Sequence, residues 1–118
     1  MIKLKEGAKI YVSVEPVDAR KAIDGLTCLI PGKFNDNPQS GNLFIFFNKT
    51  KDKVKILHWD EVGFVLYCKR LEKHKFSAPK LAGQSHLEIS EIQLHGLLSG
   101  LNFMLMRKFT EVNYSKYL

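Results

Sequence analysis

The run His58-Trp59-Asp60 places an imidazole two residues from a carboxylate, a pairing that could supply a general base and the acid that orients it. The flanking residues alternate as a strand does, and neighbouring strand residues point to opposite faces of a sheet. His58 and Trp59 therefore diverge, which weakens the acid–base interpretation. The remaining histidines show no HxH or HxxxH spacing. We interpret all of them as structural.

Three aspartates could hold a metal ion for phosphoryl transfer: Asp18, Asp24 and Asp60. Asp18 and Asp24 are six residues apart in a predicted helix, which separates them by about 120° around the helix axis. No spacing requires Asp60 to join either of them. Asp18 is better explained as a helix N-cap and Asp24 as a surface or ion-pair group. A metal-dependent nuclease remains the enzymatic alternative.

Other catalytic signatures are missing from the sequence. There is no GxSxG elbow, no P-loop and no GxGxxG turn. Cys28 and Cys68 have no neighbouring Cys or His at zinc-ligand spacing, which favours two reduced and mostly buried thiols in a cytosolic protein. We therefore expect no enzymatic activity, no cofactor and no metal.

Positive charge is concentrated in the middle of the chain. The formal net charge is +6, and residues 49–80 carry nine Lys or Arg against four Asp or Glu. Such a local excess favours a polyanionic partner, because lysines and aromatics on a two-stranded ribbon can follow a phosphate backbone. Lysines on an exposed strand also prevent edge-to-edge aggregation, which is the competing explanation.

Candidate binding residues share a basic or aromatic side chain in or near this ribbon, or at the start of the first predicted helix. They are Arg20, Lys21, Lys49, Lys51, Lys53, Lys55, Tyr67, Lys69, Arg70 and Lys73. Arg20 and Lys21 would occupy the first turn of that helix, the end that disfavours cations. Either Arg20 pairs with Asp24 four residues later, or an anion binds between Arg20 and the helix start.

The elements that must position these residues follow from periodicity and turn chemistry. Residues 8–14 alternate as a strand, and a helix capped by Asp18 is predicted to stop at Pro31-Gly32. Strands follow at 42–48, 53–59 and 64–73, the last two joined by a turn in which Gly63 is available for a positive φ. Ser90 and Gln93 form a capping-box pattern at the start of a second helix, with Gly100 as its C-terminal cap.

These elements predict an α+β fold in a single domain of residues 1–118. The expected order is β-α-β-β-β-α, with a three-stranded meander at the centre of an antiparallel sheet that two helices cover. Residues 102–118 form a C-terminal tail or helix whose structure the pattern leaves open. The N-terminus lacks a signal peptide and no run approaches a membrane span, so we expect a cytoplasmic protein.

Three stretches carry a family resemblance: DARKAIDGL, then NPQSGNLFIFFNKTKDKVKILHWDEVGFVLYCKRLEKHKF, then LEISEIQLHGLLSGL. Together they resemble the accessory protein (second open reading frame, TnpB-type) of the insertion-sequence-sixty-six group of bacterial transposable elements, over about residues 8–101. The matching motif positions are Asp18, Arg20, Lys21, Asp24, Gly25, Leu26, Ser40, Gly41, Lys55, Trp59, Asp60, Gly63, Lys69, Arg70, Leu71 and Glu72.

The resemblance implies a role in transposition beside a separate transposase that performs strand cleavage. We expect a non-enzymatic accessory protein whose basic meander contacts element-end DNA, the transposase or both. The alternative is a pure protein-interaction subunit that docks through the tail at 102–118. The resemblance leaves open whether the protein forms oligomers.

Overall fold

The computed structural model describes residues 4–77 and 83–100, and these form one five-stranded sheet with a helix on each face. The strands are β1 (Ile10–Ser13), β2 (Leu43–Phe47), β3 (Lys53–Trp59), β4 (Phe64–Arg70) and β5 (His86–Ile89). Helix α1 spans Ile23–Phe34 and helix α2 spans Glu91–Leu98. Among the described residues, neither helix has the length and hydrophobicity of a membrane span.

Strand β2 lies at the centre of the sheet, whose order is β4-β3-β2-β1-β5. All five of its residues are buried, as its apolar sequence on both faces predicts. β2, β3 and β4 form the predicted antiparallel meander. The α+β class is therefore confirmed, together with the three-stranded meander.

The sheet is mixed rather than wholly antiparallel. β1 pairs with β2 in parallel, in the register Ile10↔Leu43, because α1 carries the chain across the sheet between them. A long crossover containing a helix is what a parallel pair requires, whereas the short connections between β2, β3 and β4 produce antiparallel pairs. β5 adds a strand to the predicted order and pairs antiparallel with β1.

Each helix buries an apolar side against one face of the sheet. Leu26, Ile30 and Phe34 of α1 pack on one face, where Phe44 and Phe46 belong to the same cluster. On the other face Leu94, Leu97 and Leu98 of α2 pack in the cluster formed with β1, β2, β3 and β5. Because each face of β2 carries a helix layer, no face of the central strand reaches solvent.

The start and the end of α1 both differ from the sequence prediction. The N-cap is Ala22, which makes no side-chain cap bond, and Asp18 instead accepts from the backbone N–H of Arg20 at 2.9 Å. Pro31 lies inside the last turn, and the helix ends where Asn35 adopts a left-handed conformation with φ of 50°. Proline in that position removes one hydrogen-bond donor but keeps a φ that suits a helix, so the helix continues for another three residues.

Helix α2 begins with the predicted capping box. The Ser90 hydroxyl accepts from the backbone N–H of Gln93 at 3.2 Å, and the Gln93 side chain accepts from the backbone N–H of Ser90 at 2.8 Å. Gly100 follows the helix with φ of +81°, a conformation that suits a glycine just past a helix end. The predicted tail at 102–118 lies outside the described residues.

Candidate nucleic-acid interface

Three segments meet at one end of the sheet, which we call the basic end: residues 17–21, 48–55 and 67–77. The backbone N–H of Val17 donates to the Phe47 carbonyl at 2.8 Å, which holds the first segment beside the second. The backbone N–H groups of Leu71 and Phe76 donate to the backbone carbonyls of Asp52 and Lys51, each at 2.8 Å, and these bonds hold the third segment beside the second. The fold thus joins the segment of Arg20 to the basic ribbon, although more than twenty residues separate them in sequence.

The basic end holds the whole positive excess of the chain. Its three segments contain ten Lys or Arg and three Asp or Glu, a balance of +7, whereas the whole chain has a net charge of +6. At the other end of the strands, residues 4–9, 35–42 and 59–63 contain two Lys and four Asp or Glu, a balance of −2. The seven residues of β3 run from one end to the other. The positively and the negatively charged ends therefore lie roughly 20 Å apart.

The turn between β2 and β3 is ordered by side chains rather than by glycine. Asn48 donates to Asp52 at 2.6 Å and to Thr50 at 3.1 Å, and Thr50 donates to Asp52 at 2.8 Å. Hydrogen bonds from Asn48 and then Thr50 lower the pKa of Asp52 to about 2, which keeps this carboxylate ionised. The network fixes the turn on which Lys49 and Lys51 are carried, with Lys51 itself at φ of +59°.

Both arginines of the basic end are already paired with carboxylates. Arg20 binds Asp18 through a 2.7 Å contact, and Arg70 binds Glu72 at 2.9 Å. The side-chain and backbone hydrogen bonds from Arg20 hold the pKa of Asp18 well below its usual range. The predicted alternative of an Arg20–Asp24 pair is wrong: Arg20 precedes the helix and turns toward Asp18. Both ion pairs are solvent-exposed and so exchange readily with another anion.

Two ribbon lysines are internal tethers. The Lys55 ammonium donates to the carbonyls of Ala19 at 2.7 Å and Lys21 at 2.6 Å. The Lys69 ammonium donates to the Leu98 carbonyl at 2.6 Å, at the C-terminal end of α2. Both groups are half-buried and satisfied by backbone oxygens, so their main role in this structure is to hold α1 and α2 on the sheet.

The ribbon residues do not share one face. Lys53 pairs with Arg70 and Lys55 with Cys68 on the α1 side, whereas Val54 pairs with Lys69 and Ile56 with Tyr67 on the α2 side. Tyr67 is half-buried and packs against the α2-side apolar cluster. Within the described residues, the ammonium groups without a polar partner at the basic end are those of Lys21, Lys49, Lys51, Lys53 and Lys73.

The three candidate metal-binding aspartates are not brought together. Asp18 and Asp60 belong to opposite ends of the strands, and Asp24 lies in the first turn of α1. In residues 4–77 and 83–100, no three His, Cys, Asp or Glu side chains lie close enough to hold a metal ion. Cys28 and Cys68 are both exposed, so the expectation of mostly buried thiols is wrong. His58 is buried on the α2 face and Trp59 lies on the opposite face, as strand alternation predicts.

Several family-motif positions have structural roles. A Cβ atom at Gly25 would lie 3.3 Å from Cγ of Lys21, so the glycine permits a close approach of the chain before α1. Asp60 Oδ1 accepts from the backbone N–H groups of Val62 and Gly63, which closes the turn between β3 and β4. Leu71 packs against the α2-side core. These motif positions therefore specify the fold around the ribbon.

A cleft of about 620 Å³ opens at the end of the sheet opposite the basic end. Its lining includes His58, Trp59, Asp60 and Glu61 from the end of β3 and the following turn. Nδ1 of His58 is buried and has no hydrogen-bond partner among the described residues. Leaving such a group unpaired costs about 1–3 kcal/mol. Trp59 and Asp60 are family-motif positions, but no pattern in the sequence indicates the cleft. The N-terminal segment and the loop at 39–41 form the rest of its lining.

Comparisons with known proteins show sequence similarity to one family. A family model described as IS66 Orf2 like protein matches residues 8–108. The chain is 32% identical over 109 residues to the uncharacterized protein y4jC of Sinorhizobium fredii, covering 92% of each chain. It is 28% identical over 103 residues to the uncharacterized protein y4hO of the same organism, covering 87% of this chain and 89% of that protein. No solved structure matches.

The matched span contains every residue of the basic end and most of those that line the opposite cleft. The family resemblance predicted from the three sequence stretches is confirmed, and this chain belongs to the IS66 Orf2-like family.

Proposed function

We propose that this chain is a non-enzymatic accessory protein of insertion-sequence transposition that binds the DNA of its element through the basic end. The observation that carries the proposal is the balance of ten Lys or Arg against three Asp or Glu in three segments that the fold brings together. Phosphate groups are the ligand such a surface attracts most strongly, because each contact releases condensed counterions. Family membership supplies the setting of transposition.

We assign the phosphate contacts to lysines whose ammonium groups have no partner among the described residues. Lys49, Lys51 and Lys73 lie on the turn after β2 and the segment after β4, and their ammonium groups have no partner among the described residues. Arg20 and Arg70 contribute by exchanging an exposed carboxylate for a phosphate. Lys55 and Lys69 support the surface from within.

The test measures binding of the full chain to a fluorescent duplex carrying the element's end, by anisotropy, over a series of salt concentrations. We expect affinity to fall log-linearly with salt, with a slope of about −0.9 for each phosphate neutralised. The triple variant Lys49→Gln, Lys51→Gln, Lys73→Gln should bind at least about tenfold more weakly. Its slope should be less negative than that of the wild type by about 3. A duplex of unrelated sequence separates recognition of the element end from general phosphate binding.

A matched control removes the same charge elsewhere. The variant Lys5→Gln, Lys9→Gln, Lys33→Gln has the same net charge as the first triple but leaves the basic end intact. It should keep the wild-type slope. Equal losses in the two triples would show that only net charge matters, and absence of salt-dependent binding would overturn the DNA proposal.

Contact with the transposase is the second candidate function, favoured by the family setting. Co-purification with the element's transposase in nuclease-treated extract measures this contact without DNA. If the transposase retains the wild type and the first triple variant equally, and neither binds DNA, the chain is a protein-interaction subunit. Loss of retention on deleting residues 102–118 would assign that contact to the C-terminal tail.

A further inference from the structure

Strand β4 is an edge of the sheet and carries a row of outward backbone groups. Just before the strand, the Gly63 carbonyl accepts from the backbone N–H of Asp60. Just after it, the backbone N–H of Leu71 donates to the Asp52 carbonyl. Because hydrogen-bonded pairs alternate along an antiparallel ladder, the odd-numbered residues of β4 bond to β3, and the even-numbered residues point their N–H and C=O groups outward. The outward residues are Phe64, Leu66, Cys68 and Arg70.

These outward groups have no other backbone or side-chain hydrogen bond within the described part of the chain. From this geometry we propose that β4 pairs antiparallel with β4 of a second copy of the chain, about a twofold axis at Tyr67. The two five-stranded sheets then become one continuous sheet.

The register about Tyr67 uses every outward group. With Tyr67 opposite its own counterpart, Phe64 lies opposite Arg70 and Leu66 lies opposite Cys68, and both pairs recur on the other side of the axis. Each such pair can exchange two backbone hydrogen bonds. A shift of the register by two residues places Phe64 or Arg70 opposite a residue outside the strand. The strand is therefore self-complementary in one register.

The edge is open to a partner strand. A lysine on an edge strand hinders association, but the Lys69 ammonium is bound to the Leu98 carbonyl at 2.6 Å and Arg70 is paired with a carboxylate of its own chain. Neither helix layer covers the edge, because Val65 on the α2 side is 39% exposed and Cys68 on the α1 side is exposed too. The edge thus lacks the usual protection against pairing.

Charge complementarity favours a second copy as the occupant. Residues 60–63, which lead into β4, contain two carboxylates and no cation, whereas residues 69–75 carry four Lys or Arg and one Glu. Antiparallel pairing brings the acidic end of each copy beside the basic end of the other, and a parallel arrangement would bring like charges together. The attraction acts between exposed groups, so salt weakens it.

Sedimentation velocity of the full chain, without nucleic acid, measures the association. We expect a monomer–dimer equilibrium at low salt with a Kd of about 10–100 µM, because a single strand pair forms a small and polar contact. Below about 1 µM the chain should be monomeric, and about 0.5 M salt should weaken the dimer at least about threefold. No DNA is present, so the outcome does not depend on the proposed DNA binding.

A proline at an outward position tests the backbone pairing. Cys68 lies opposite Lys55 in a pair that exchanges no hydrogen bonds, so Cys68→Pro removes an outward N–H and leaves the bonds to β3 in place. It should weaken the dimer at least about tenfold. The matched control, Cys68→Ala, loses the same thiol but keeps the N–H, and it should associate as the wild type does. Urea unfolding shows whether the proline variant is folded.

A second variant leaves the backbone unchanged. In the proposed register Val65 lies opposite Lys69 of the other copy, so Val65→Lys brings like charges together at the edge. It should weaken the dimer at least about fivefold, whereas Val65→Thr should retain it.

Disulfide formation tests the register. With both native cysteines replaced by serine, Tyr67→Cys places two thiols in a non-hydrogen-bonded pair whose Cα atoms are about 4.5 Å apart, within disulfide range. We expect a covalent dimer under mild oxidation. Val65→Cys in the same background is the control, because it is displaced from its counterpart by roughly 13 Å along the strands and should cross-link at least about tenfold more slowly.

A chain that stays monomeric up to about 500 µM at low salt would overturn the proposal. So would a dimer that persists both in folded Cys68→Pro and in Val65→Lys, because association would then use another surface. Faster cross-linking through Val65→Cys than through Tyr67→Cys would contradict the twofold axis at Tyr67.

Discussion

Lysines of the same ribbon have different roles, and Lys55 shows why. Its ammonium group reaches two backbone carbonyls in the segment before α1, thirty-four and thirty-six residues away in sequence. Lys53 lies two residues earlier on the same face, and its backbone N–H and carbonyl both bond to Asn48. Its ammonium group has no hydrogen-bond partner among the described residues. The first lysine holds two elements together, and the second is free to meet a ligand.

Replacing Lys55 with methionine keeps the apolar stem and removes the charged donor. Lys55→Met should lower the free energy of unfolding by about 1–3 kcal/mol, because two half-buried carbonyls lose their partner. Lys53→Met should change it by less than about 0.5 kcal/mol. Urea denaturation of both variants measures the difference, and equal effects would show that the Lys55 contacts contribute no stability.

Charge counting could predict the basic region but not the roles of its residues. Composition shows an excess between residues 49 and 80, and the structure adds the segment of Arg20 to it. The end point of a long lysine side chain depends on acceptors that the fold brings from elsewhere, such as the carbonyls that Lys55 and Lys69 bind. Sequence alone gives no signal of those acceptors, nor of the cleft around His58.

At the scale of elements, the turn between β3 and β4 departs from what its residues indicate. The sequence favours Gly63 for a positive φ, yet Glu61 adopts φ of +81° and Gly63 does not take that conformation. Asp60 determines this geometry by accepting two backbone N–H groups across the turn. A side-chain acceptor thus outweighs the conformational freedom of the glycine.

Substitutions in this turn test which residue is strained. Glu61→Gly should raise the free energy of unfolding by about 0.5–1 kcal/mol, because a left-handed conformation is unfavourable for a residue with a Cβ atom. Gly63→Ala should change it by less than about 0.5 kcal/mol, since a Cβ atom there meets nothing within 4 Å. Thermal and urea unfolding give both values. A large loss in Gly63→Ala would contradict the turn geometry.

The short connections predict the meander correctly, whereas the prediction of a wholly antiparallel sheet is wrong. The sequence pattern indicates strands on both sides of α1, and a helix between two strands favours a parallel pair. The limits of α1 are not predicted correctly because they depend on one local side-chain contact and one tertiary contact. Asp18 turns to Arg20, and Lys55 holds the carbonyls just before the helix. Neither contact is visible in the helical period of the apolar residues.

At the scale of the whole molecule, stability is centred on β2. This strand is buried along its whole length and has a hydrogen-bonded neighbour on each side, whereas β4 and β5 form the two edges of the sheet. Opening of the edges leaves the β2 ladder largely intact, but exposure of β2 requires both helix layers to separate from the sheet.

Native-state hydrogen exchange should follow this order. We expect the amides of β2 and of the β2-facing side of β3 to exchange most slowly, with protection at least about tenfold greater than in β5 and α2. Exchange followed by two-dimensional NMR at neutral pH gives the values residue by residue. Equal protection in β5 and β2 would show that the sheet opens only as one cooperative unit.

The separation of charge along β3 gives the molecule a dipole moment as well as a net charge. In the electric field of a polyanion, such a molecule rotates before contact, so that its positive end faces the polyanion. Among encounters at low salt, a larger fraction then begins in a productive orientation, and the gain appears in the association rate rather than in the lifetime of the complex. The same rotation directs the Trp59 end away from the nucleic acid, toward solution and any third component arriving from there.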